Sequence, residues 1–230
     1  DYATKKGITV TKTPTANIDA VADLAFGLMF GLARRIPEAD RKMRNDKWEK
    51  IIGHSVWSKK LGIIGLGKIG KQLVKRAQGF NMDIRVFDVF KDQEFAKKYD
   101  IKYVKLEELI KSSDFISIHT PLTKETKGLI KQRELKEMKK TAFIINTSRG
   151  GIIDEEALYE ALKEDEIAGA GLDAFVNEPP EDNKFKDFDN VIMTPHIGGY
   201  TNKAIENMGV EAARNLIKVL ENKEPDFKVN

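Results

Sequence analysis

The stretch Leu61-Gly62-Ile63-Ile64-Gly65-Leu66-Gly67-Lys68-Ile69-Gly70 decides the fold of this 230-residue chain. Its first four residues predict a strand, the glycines form a G-x-G-x-x-G loop, and Lys68 to Phe80 predicts a helix. In this context Gly65 permits a tight turn, Gly67 lets the backbone approach a pyrophosphate, and Gly70 lets helix and strand pack closely. Unpaired N–H groups at the helix N-terminus attract phosphate. The stretch therefore predicts a dinucleotide-binding loop.

Short apolar runs alternate with amphipathic segments from Leu61 onward, which is typical of βαβ units in a parallel sheet. Long helices are predicted on either side: Asp19 to Arg44, broken at Pro37, and Thr201 to Asn222, capped by Thr201. The sequence therefore predicts an α/β fold with a doubly wound parallel sheet. Its further strands are predicted at 84–87, 115–119, 143–146, 168–172 and 191–193, and its further helices at 106–111, 132–138 and 155–163.

Composition excludes several classes of function. The 39 basic and 36 acidic residues are too evenly balanced for nucleic-acid binding, and 41% apolar residues suffice for a large core. The chain has no cysteine, and its three histidines lack ligand spacing, so we expect no metal site. The longest apolar run, Ala20 to Ala33, is too short to span a membrane, and no signal peptide is recognisable. We therefore expect a cytoplasmic protein.

Asp88 closes the strand that follows the glycine-loop helix. A carboxylate at this position can accept hydrogen bonds from the adenosine ribose of a dinucleotide. It would repel the 2′-phosphate of NADP, so the sequence favours NAD as the cofactor.

Three further side chains stand in tight loops after later strands: Arg149, Glu178 and His196. Arg149 follows the strand that ends at Asn146, and its planar guanidinium can hold a carboxylate through two bonds. Glu178 precedes two prolines that restrict its backbone. His196 lies between a proline and two glycines, and histidine changes charge near neutral pH. A cation, an acid and an imidazole together predict redox chemistry on a small acid.

These motifs, taken in order, resemble the D-isomer-specific 2-hydroxyacid dehydrogenases, and phosphoglycerate dehydrogenases most of all. The resemblance covers nearly the whole chain. It is carried by the stretches at 7–10, 33–37, 47–49, 61–67, 146–154, 169–180 and 195–199.

The resemblance implies hydride transfer between NAD and a D-2-hydroxy acid, with Arg149, Glu178 and His196 as catalytic residues. Glu178 would pair with His196, orient it and favour its charged form. The implied cofactor contacts are Gly65, Gly67, Lys68, Ile69 and Gly70 at the pyrophosphate, Asp88 at the ribose, Thr120 and Pro121 at the adenosine, Thr147, Ser148 and Arg149 beside the nicotinamide, Asp173 at the carboxamide, and His196, Gly198 and Gly199 completing the pocket.

The resemblance also implies a domain organisation. Family members begin with most of a separate substrate domain, whereas this sequence opens at what resembles the last strand of that domain, Gly7 to Val10. Residues 15–199 are expected to form the dinucleotide-binding domain, and residues 1–14 with 200–230 a remnant of a flavodoxin-like substrate domain. We expect such a chain to bind NAD but to turn over weakly or not at all alone.

The substrate and the assembly are expectations from the same resemblance. The leading substrate is 3-phosphoglycerate, as in serine biosynthesis, but enzymes acting on glyoxylate, hydroxypyruvate and D-lactate share the three catalytic residue types. Lys50 stands where some phosphoglycerate enzymes face the substrate phosphate, and a solvated lysine is the alternative. A homodimer is expected through the nucleotide domain, with the Asp19 to Arg35 helix and the Trp48 region crossing between subunits. The competing class is an NAD(H)-sensing corepressor, a non-catalytic binding module.

Overall fold

The computed structural model describes residues 1–230 and contains one seven-stranded, all-parallel sheet in the order β3-β2-β1-β4-β5-β6-β7. The chain moves outward from β1 through β2 to β3 and then crosses back to β4 on the other side of β1. The strand order reverses there, which is where open α/β sheets bind ligands. The strands are β1 (Lys60–Ile64), β2 (Asp83–Phe87), β3 (Lys102–Tyr103), β4 (Phe115–Ile118), β5 (Phe143–Asn146), β6 (Gly169–Leu172) and β7 (Val191–Met193).

The chain also forms nine helices: α1 (Tyr2–Lys5), α2 (Ile18–Ala33), α3 (Ile36–Arg44), α4 (Lys68–Gln78), α5 (Gln93–Lys98), α6 (Leu106–Ser112), α7 (Gln132–Glu137), α8 (Glu155–Lys163) and α9 (Asn202–Leu220). Successive strand residues point to opposite faces, so Ile63 and Ile145 pack with α2 and α4. Ile64 and Ile144 pack with α6, α7 and α8 on the other face. Both faces are covered, which explains why the strands are continuous apolar runs.

The predicted doubly wound sheet is confirmed, and three strands or helices have the predicted bounds: β5, β7 and α8. Thr201 caps α9 as predicted, because its Oγ1 accepts a hydrogen bond from the backbone N–H of Ala204 at 3.1 Å. The sequence did not predict α1, α5 or β3. These elements have four, six and two residues, which is too short for a periodic pattern to be recognised.

The helix predicted from Asp19 to Arg44 is interrupted at residues 34–35, and the predicted break at Pro37 was wrong. The chain leaves α2 after Ala33, and Arg35 has φ +51°, a left-handed conformation that ends a helix. Pro37 lies in the first turn of α3, where a proline is tolerated because the N–H it lacks would have no helical partner. Pro37 therefore starts a helix here and does not break one.

The prediction of a strand from Gly7 to Val10 was also wrong. Gly7 is in a turn with φ +67°, and residues 8–10 belong to no strand. The chain ends meet instead: Thr11 and Lys228 form an isolated antiparallel bridge, flanked by a hydrogen bond from Val229 N to Val10 O at 2.9 Å. None of the nine helices combines the length and the apolar composition that a membrane span requires.

Candidate active site

The glycine loop turns sharply at the end of β1 and opens directly into α4. Gly65 has φ +95°, and a Cβ there would lie 2.9 Å from the backbone of His119 and Thr120. Only glycine allows β1 and β4 to end this close together. Gly67 is the N-cap of α4 and no side chain caps it, so the N–H groups of the first turn are available to an anion.

Asp88 braces this loop. Its Oδ2 accepts a hydrogen bond from Leu66 N at 2.6 Å, and its Oδ1 accepts one from Phe90 N at 2.8 Å. Each carboxylate oxygen can accept a second hydrogen bond, so both can still receive the hydroxyls of a ribose. Asp88 therefore connects the end of β2 to the glycine loop.

A cleft of about 660 Å³ opens at the carboxyl edge of the sheet, along the second half of the strand order. It brings together many of the residues singled out in the sequence: Ile69, Thr120, Pro121, Thr147, Ser148, Arg149, Asp173, His196, Gly198 and Gly199. Four of them lie outside it: Gly65 and Gly67 in the loop after β1, Gly70 in the first turn of α4, and Asp88 after the end of β2. Lys68 also lies outside, with its Nζ 5.8 Å from the ring centroid of Phe227.

Arg149 is held in the cleft by the loop that follows β5. The buried Asn146 side chain braces this loop: its Nδ2 donates to Arg149 O at 2.8 Å, and its Oδ1 accepts from Ser148 N at 3.1 Å and Ser148 Oγ at 2.8 Å. The guanidinium is exposed and donates only to Ser148 O, at 2.6 Å. With no carboxylate within salt-bridge distance, Arg149 is free to bind an acid from solution.

His196 lines this cleft and contacts Glu178, which lies outside the cleft lining. His196 Nδ1 lies 2.7 Å from Glu178 Oε2 and 2.9 Å from Glu178 Oε1. Burial tends to raise the pKa of Glu178, but the Phe175 N–H, His196 and Arg149 outweigh it, and the pKa of Glu178 is lowered. An ionised carboxylate has no proton to donate, so Nδ1 of His196 carries one and Nε2 is free for other partners.

Asp173 is only 1% exposed and lies beneath the His196 loop. Its Oδ1 accepts hydrogen bonds from Thr194 Oγ1 at 2.6 Å and Ile197 N at 2.7 Å, and its Oδ2 accepts one from Gly198 N at 2.8 Å. The resemblance assigned Asp173 to the carboxamide of the cofactor. Most of its hydrogen-bonding capacity is used within the protein.

The cleft wall contains polar atoms that suit a polar ligand. Thr147 is 6% exposed, and its buried Oγ1 has no hydrogen-bond partner. Half-buried His119 binds Ser117 Oγ through Nε2 at 2.8 Å, its buried Nδ1 is unpaired, and burial lowers its pKa to about 4. Unpaired buried polar atoms are rare in native proteins. With the uncapped α4 N-terminus and the clear space at Gly67, they fit a dinucleotide along this edge.

The sequence missed several cleft residues. The missed residues are Asn17, Val21, His119, Leu122, Tyr200 and Met208. Leu122 and Tyr200 directly follow predicted site residues, which was a usable signal. No sequence signal marks Val21 and Met208, because they belong to α2 and α9 and reach the cleft only through the packing of these helices.

This chain is similar in sequence to known NAD-binding dehydrogenases. Residues 26–198 match the model of the D-isomer specific 2-hydroxyacid dehydrogenase, NAD binding domain. A glyoxylate reductase of Thermococcus litoralis is 46% identical, and the match covers 100% of this chain and 72% of that protein. A D-3-phosphoglycerate dehydrogenase of Methanocaldococcus jannaschii is 44% identical, but this chain spans only 44% of its length while matching throughout its own.

Solved structures give the same result. The NAD-complexed D-isomer specific 2-hydroxyacid dehydrogenase from Lactobacillus delbrueckii ssp. bulgaricus has a TM-score of 0.91 and 29% identity, covering 100% of this chain and 75% of that one. The predicted cofactor, NAD, is supported both by the family domain and by such complexes. The chain therefore belongs to the D-isomer-specific 2-hydroxyacid dehydrogenase family and contains its NAD-binding domain.

Proposed function

We propose that this protein transfers hydride between NAD and a small D-2-hydroxy acid, with Arg149, Glu178 and His196 as its catalytic residues. The observation that carries the proposal is the contact of His196 Nδ1 with Glu178, at 2.7 Å, beside a cleft that also holds Arg149. When bound, NAD supplies the hydride acceptor in the oxidative direction. The protein must then hold the substrate acid in one orientation and move one proton.

His196 moves the proton. Glu178 holds the Nδ1–H and thereby leaves Nε2 as the nitrogen that takes the proton from the C2 hydroxyl of the substrate. In the reductive direction the same nitrogen returns a proton to the forming hydroxyl. The lowered pKa of Glu178 keeps its carboxylate charged at neutral pH, which stabilises the imidazolium that forms during oxidation.

Arg149 holds the substrate acid. Its guanidinium is exposed in the cleft and has no carboxylate partner in the protein. Two parallel N–H donors match the geometry of a carboxylate and also stabilise charge that develops on the C2 oxygen. This requires Arg149 and His196 to face the same substrate molecule from different sides.

The cofactor contacts proposed above belong to the same mechanism. The uncapped start of α4 would receive the pyrophosphate, and Asp88 the ribose. The proposed contacts are Gly65, Gly67, Lys68, Ile69, Gly70, Asp88, Thr120, Pro121, Thr147, Ser148, Arg149, Asp173, His196, Gly198 and Gly199.

The substrate that we favour is a small 2-oxo acid such as glyoxylate or hydroxypyruvate. Arg149 is the one lysine or arginine that lines the cleft, which suits a ligand with a single carboxylate. Lys50, which the family resemblance placed near the phosphate of a phosphorylated substrate, is exposed and lies outside the cleft. Relatives of both kinds exist at similar identity, so 3-phosphoglycerate is the second candidate.

A substrate panel on the full-length protein tests this proposal. We would measure kcat/KM with NADH and with NADPH for glyoxylate, hydroxypyruvate, pyruvate and 3-phosphohydroxypyruvate. We expect glyoxylate or hydroxypyruvate with NADH to give the highest value. A preference for the phosphorylated acid would instead support the second candidate. Tight NADH binding without turnover of any acid would overturn the enzymatic proposal and favour the binding module.

Two structural expectations extend the proposal. We propose that residues 15–199 form the NAD domain and that residues 1–14 and 200–230 belong to a second domain, which is supported by the pairing of Thr11 with Lys228. We also propose a homodimer through the NAD domain. The segment after α3 supports it, because Trp48 is 83% exposed and Ile52 is 90% exposed. Sedimentation equilibrium of the full-length protein would test the dimer.

A further inference from the structure

Asp173 accepts three hydrogen bonds from residues on either side of His196, and we propose that it is a positioning residue that holds the His196 loop, and through it the imidazole, for proton transfer. The inference rests on the proposed function, in which His196 exchanges the proton. It assigns Asp173 a task beyond the cofactor contact that the family resemblance implies.

The hydrogen bonds lie on both sides of the histidine in the chain. Thr194 Oγ1 donates to Asp173 Oδ1 from two residues before His196. Ile197 N donates to the same oxygen from the next residue, and Gly198 N donates to Oδ2 from two residues after. One buried carboxylate therefore holds residues 194–198 at three points around the imidazole.

The backbone of His196 needs such support. Its φ is +53°, in the left-handed region that residues other than glycine rarely adopt. Conformations of this kind persist when the surroundings determine them, and they concentrate at functional sites. With the loop held by Asp173, the imidazole meets the carboxylate of Glu178 at 2.7 Å; a loop free to relax would carry Nδ1 away from it.

The remaining capacity of Asp173 is small. A carboxylate oxygen accepts about two hydrogen bonds, so Oδ1 is full and Oδ2 has one site left. Asp173 lines the cleft and can offer that site to the cofactor. Thr194 does not line the cleft, so a change at Thr194 affects the loop without touching the cofactor.

Because Asp173 lines the cleft and Thr194 does not, variants of the two residues in the full-length enzyme test the positioning role. We expect Asp173→Asn to lower kcat by roughly 10²-fold, because an amide nitrogen would face the Gly198 N–H and displace the loop. Thr194→Val should lower kcat about tenfold, the rate equivalent of one charge-assisted hydrogen bond, with the dissociation constant of NADH nearly unchanged. Thr194→Ser retains the hydroxyl and should restore kcat, and both damaging variants should change the shape of the pH profile of kcat.

Asp114→Asn is the matched control. Asp114 also accepts a backbone N–H, from Lys60 at 2.9 Å, and a side-chain donor, Lys139 at 2.8 Å, but at the opposite edge of the sheet. It can lower stability and should leave the pH profile of kcat as in the wild type. Wild-type kcat and pH profile in Thr194→Val, with Asp173→Asn weakening only NADH binding, would overturn the positioning role.

Nuclear magnetic resonance separates this inference from the proposed function. The chain has three histidines, so the His196 ring signal can be assigned with a His196→Gln variant. We expect Thr194→Val to move and broaden that signal while the His54 signal stays in place. An unchanged His196 signal would overturn the inference even if the protein turned over no hydroxy acid at all.

Discussion

The two halves of the sheet contribute to the site in different ways. The first half, β1 to β3, contributes backbone N–H groups at the uncapped start of α4. The turn at Gly65 leads into this helix, and Asp88 holds it by a hydrogen bond from Leu66 N. The second half, β4 to β7, offers side chains on loops, among them Arg149 and His196. Backbone donors suit a phosphate whose charge is permanent, whereas side chains are needed where a proton must move.

Side chains that accept backbone hydrogen bonds hold the loops of both halves in place. In both halves a buried or half-buried side chain accepts N–H groups of the neighbouring loop: Asp88 in the first half, Asn146 and Asp173 in the second. The first half has a single loop to hold, so a glycine pattern and one acid suffice. The second half must align several loops, and its precision depends on contacts between strands far apart in sequence.

The largest expected effect separates chemistry from binding. His196→Ala should lower kcat at least ~10²-fold, the usual loss when a general acid–base group is removed, and leave NADH affinity nearly unchanged. Steady-state kinetics and NADH fluorescence titration of the full-length enzyme measure both. His54→Ala is the control, since His54 lines a cavity at the opposite edge of the sheet. Near-wild-type turnover in His196→Ala would refute the role of the second half.

The next largest effect is expected at His119, which follows β4 beside the turn at Gly65, where the two halves of the sheet meet. The pKa of His119 falls by burial from 6.5 to about 4, so between these pH values only the unfolded chain binds the proton. Stability contributed by the neutral ring is present above pH 6.5 and is lost as the pH falls toward 4. From pH 7 to pH 5 this component amounts to about 2 kcal/mol of the free energy of unfolding.

Urea unfolding at pH 7 and pH 5 tests this. In His119→Gln the decrease in the free energy of unfolding should be about 2 kcal/mol smaller than in the wild type. Ser117→Ala removes the hydrogen bond to Nε2 but leaves the ring buried, so it should keep the wild-type decrease. Equal pH dependence in the wild type and His119→Gln would contradict burial of this ring as the cause.

The smallest expected effect is a loss of NADH affinity with little change in kcat, the opposite of the effect of His196→Ala. A Cβ on Gly67 meets no protein atom within 4 Å, so Gly67→Ala should fold. The added methyl group would occupy space that the pyrophosphate needs, and we expect NADH to bind about tenfold more weakly, a cost near 1.4 kcal/mol, with kcat at saturation little changed. Fluorescence titration measures the affinity.

Gly209→Ala is the matched control for this change. Gly209 is exposed on α9 and also has open space around its Cβ position, so NADH affinity should stay unchanged. The helix itself should gain roughly 0.5–1 kcal/mol. If Gly67→Ala also bound NADH normally, the backbone of the first half would not be the phosphate site.

Much of this architecture could be predicted from sequence. Local patterns predicted the doubly wound sheet, the bounds of β5, β7 and α8, and the cap at Thr201. They failed at Pro37, because a proline is compatible with both the end and the first turn of a helix. They also missed α5 and β3, because six and two residues are too few for a periodic pattern to be recognised.

The family, the fold class and the cofactor could be read from the sequence alone, because the glycine loop, the strand-end acids and the apolar runs are patterns of a few neighbouring residues. The sequence also provided the residue types of Arg149, Glu178 and His196. How those three residues are arranged relative to one another depends on the folded chain. The 2.7 Å contact of His196 with Glu178, the three hydrogen bonds on Asp173 and the placement of Val21 in the cleft join segments distant in sequence, and only packing across the sheet sets such distances.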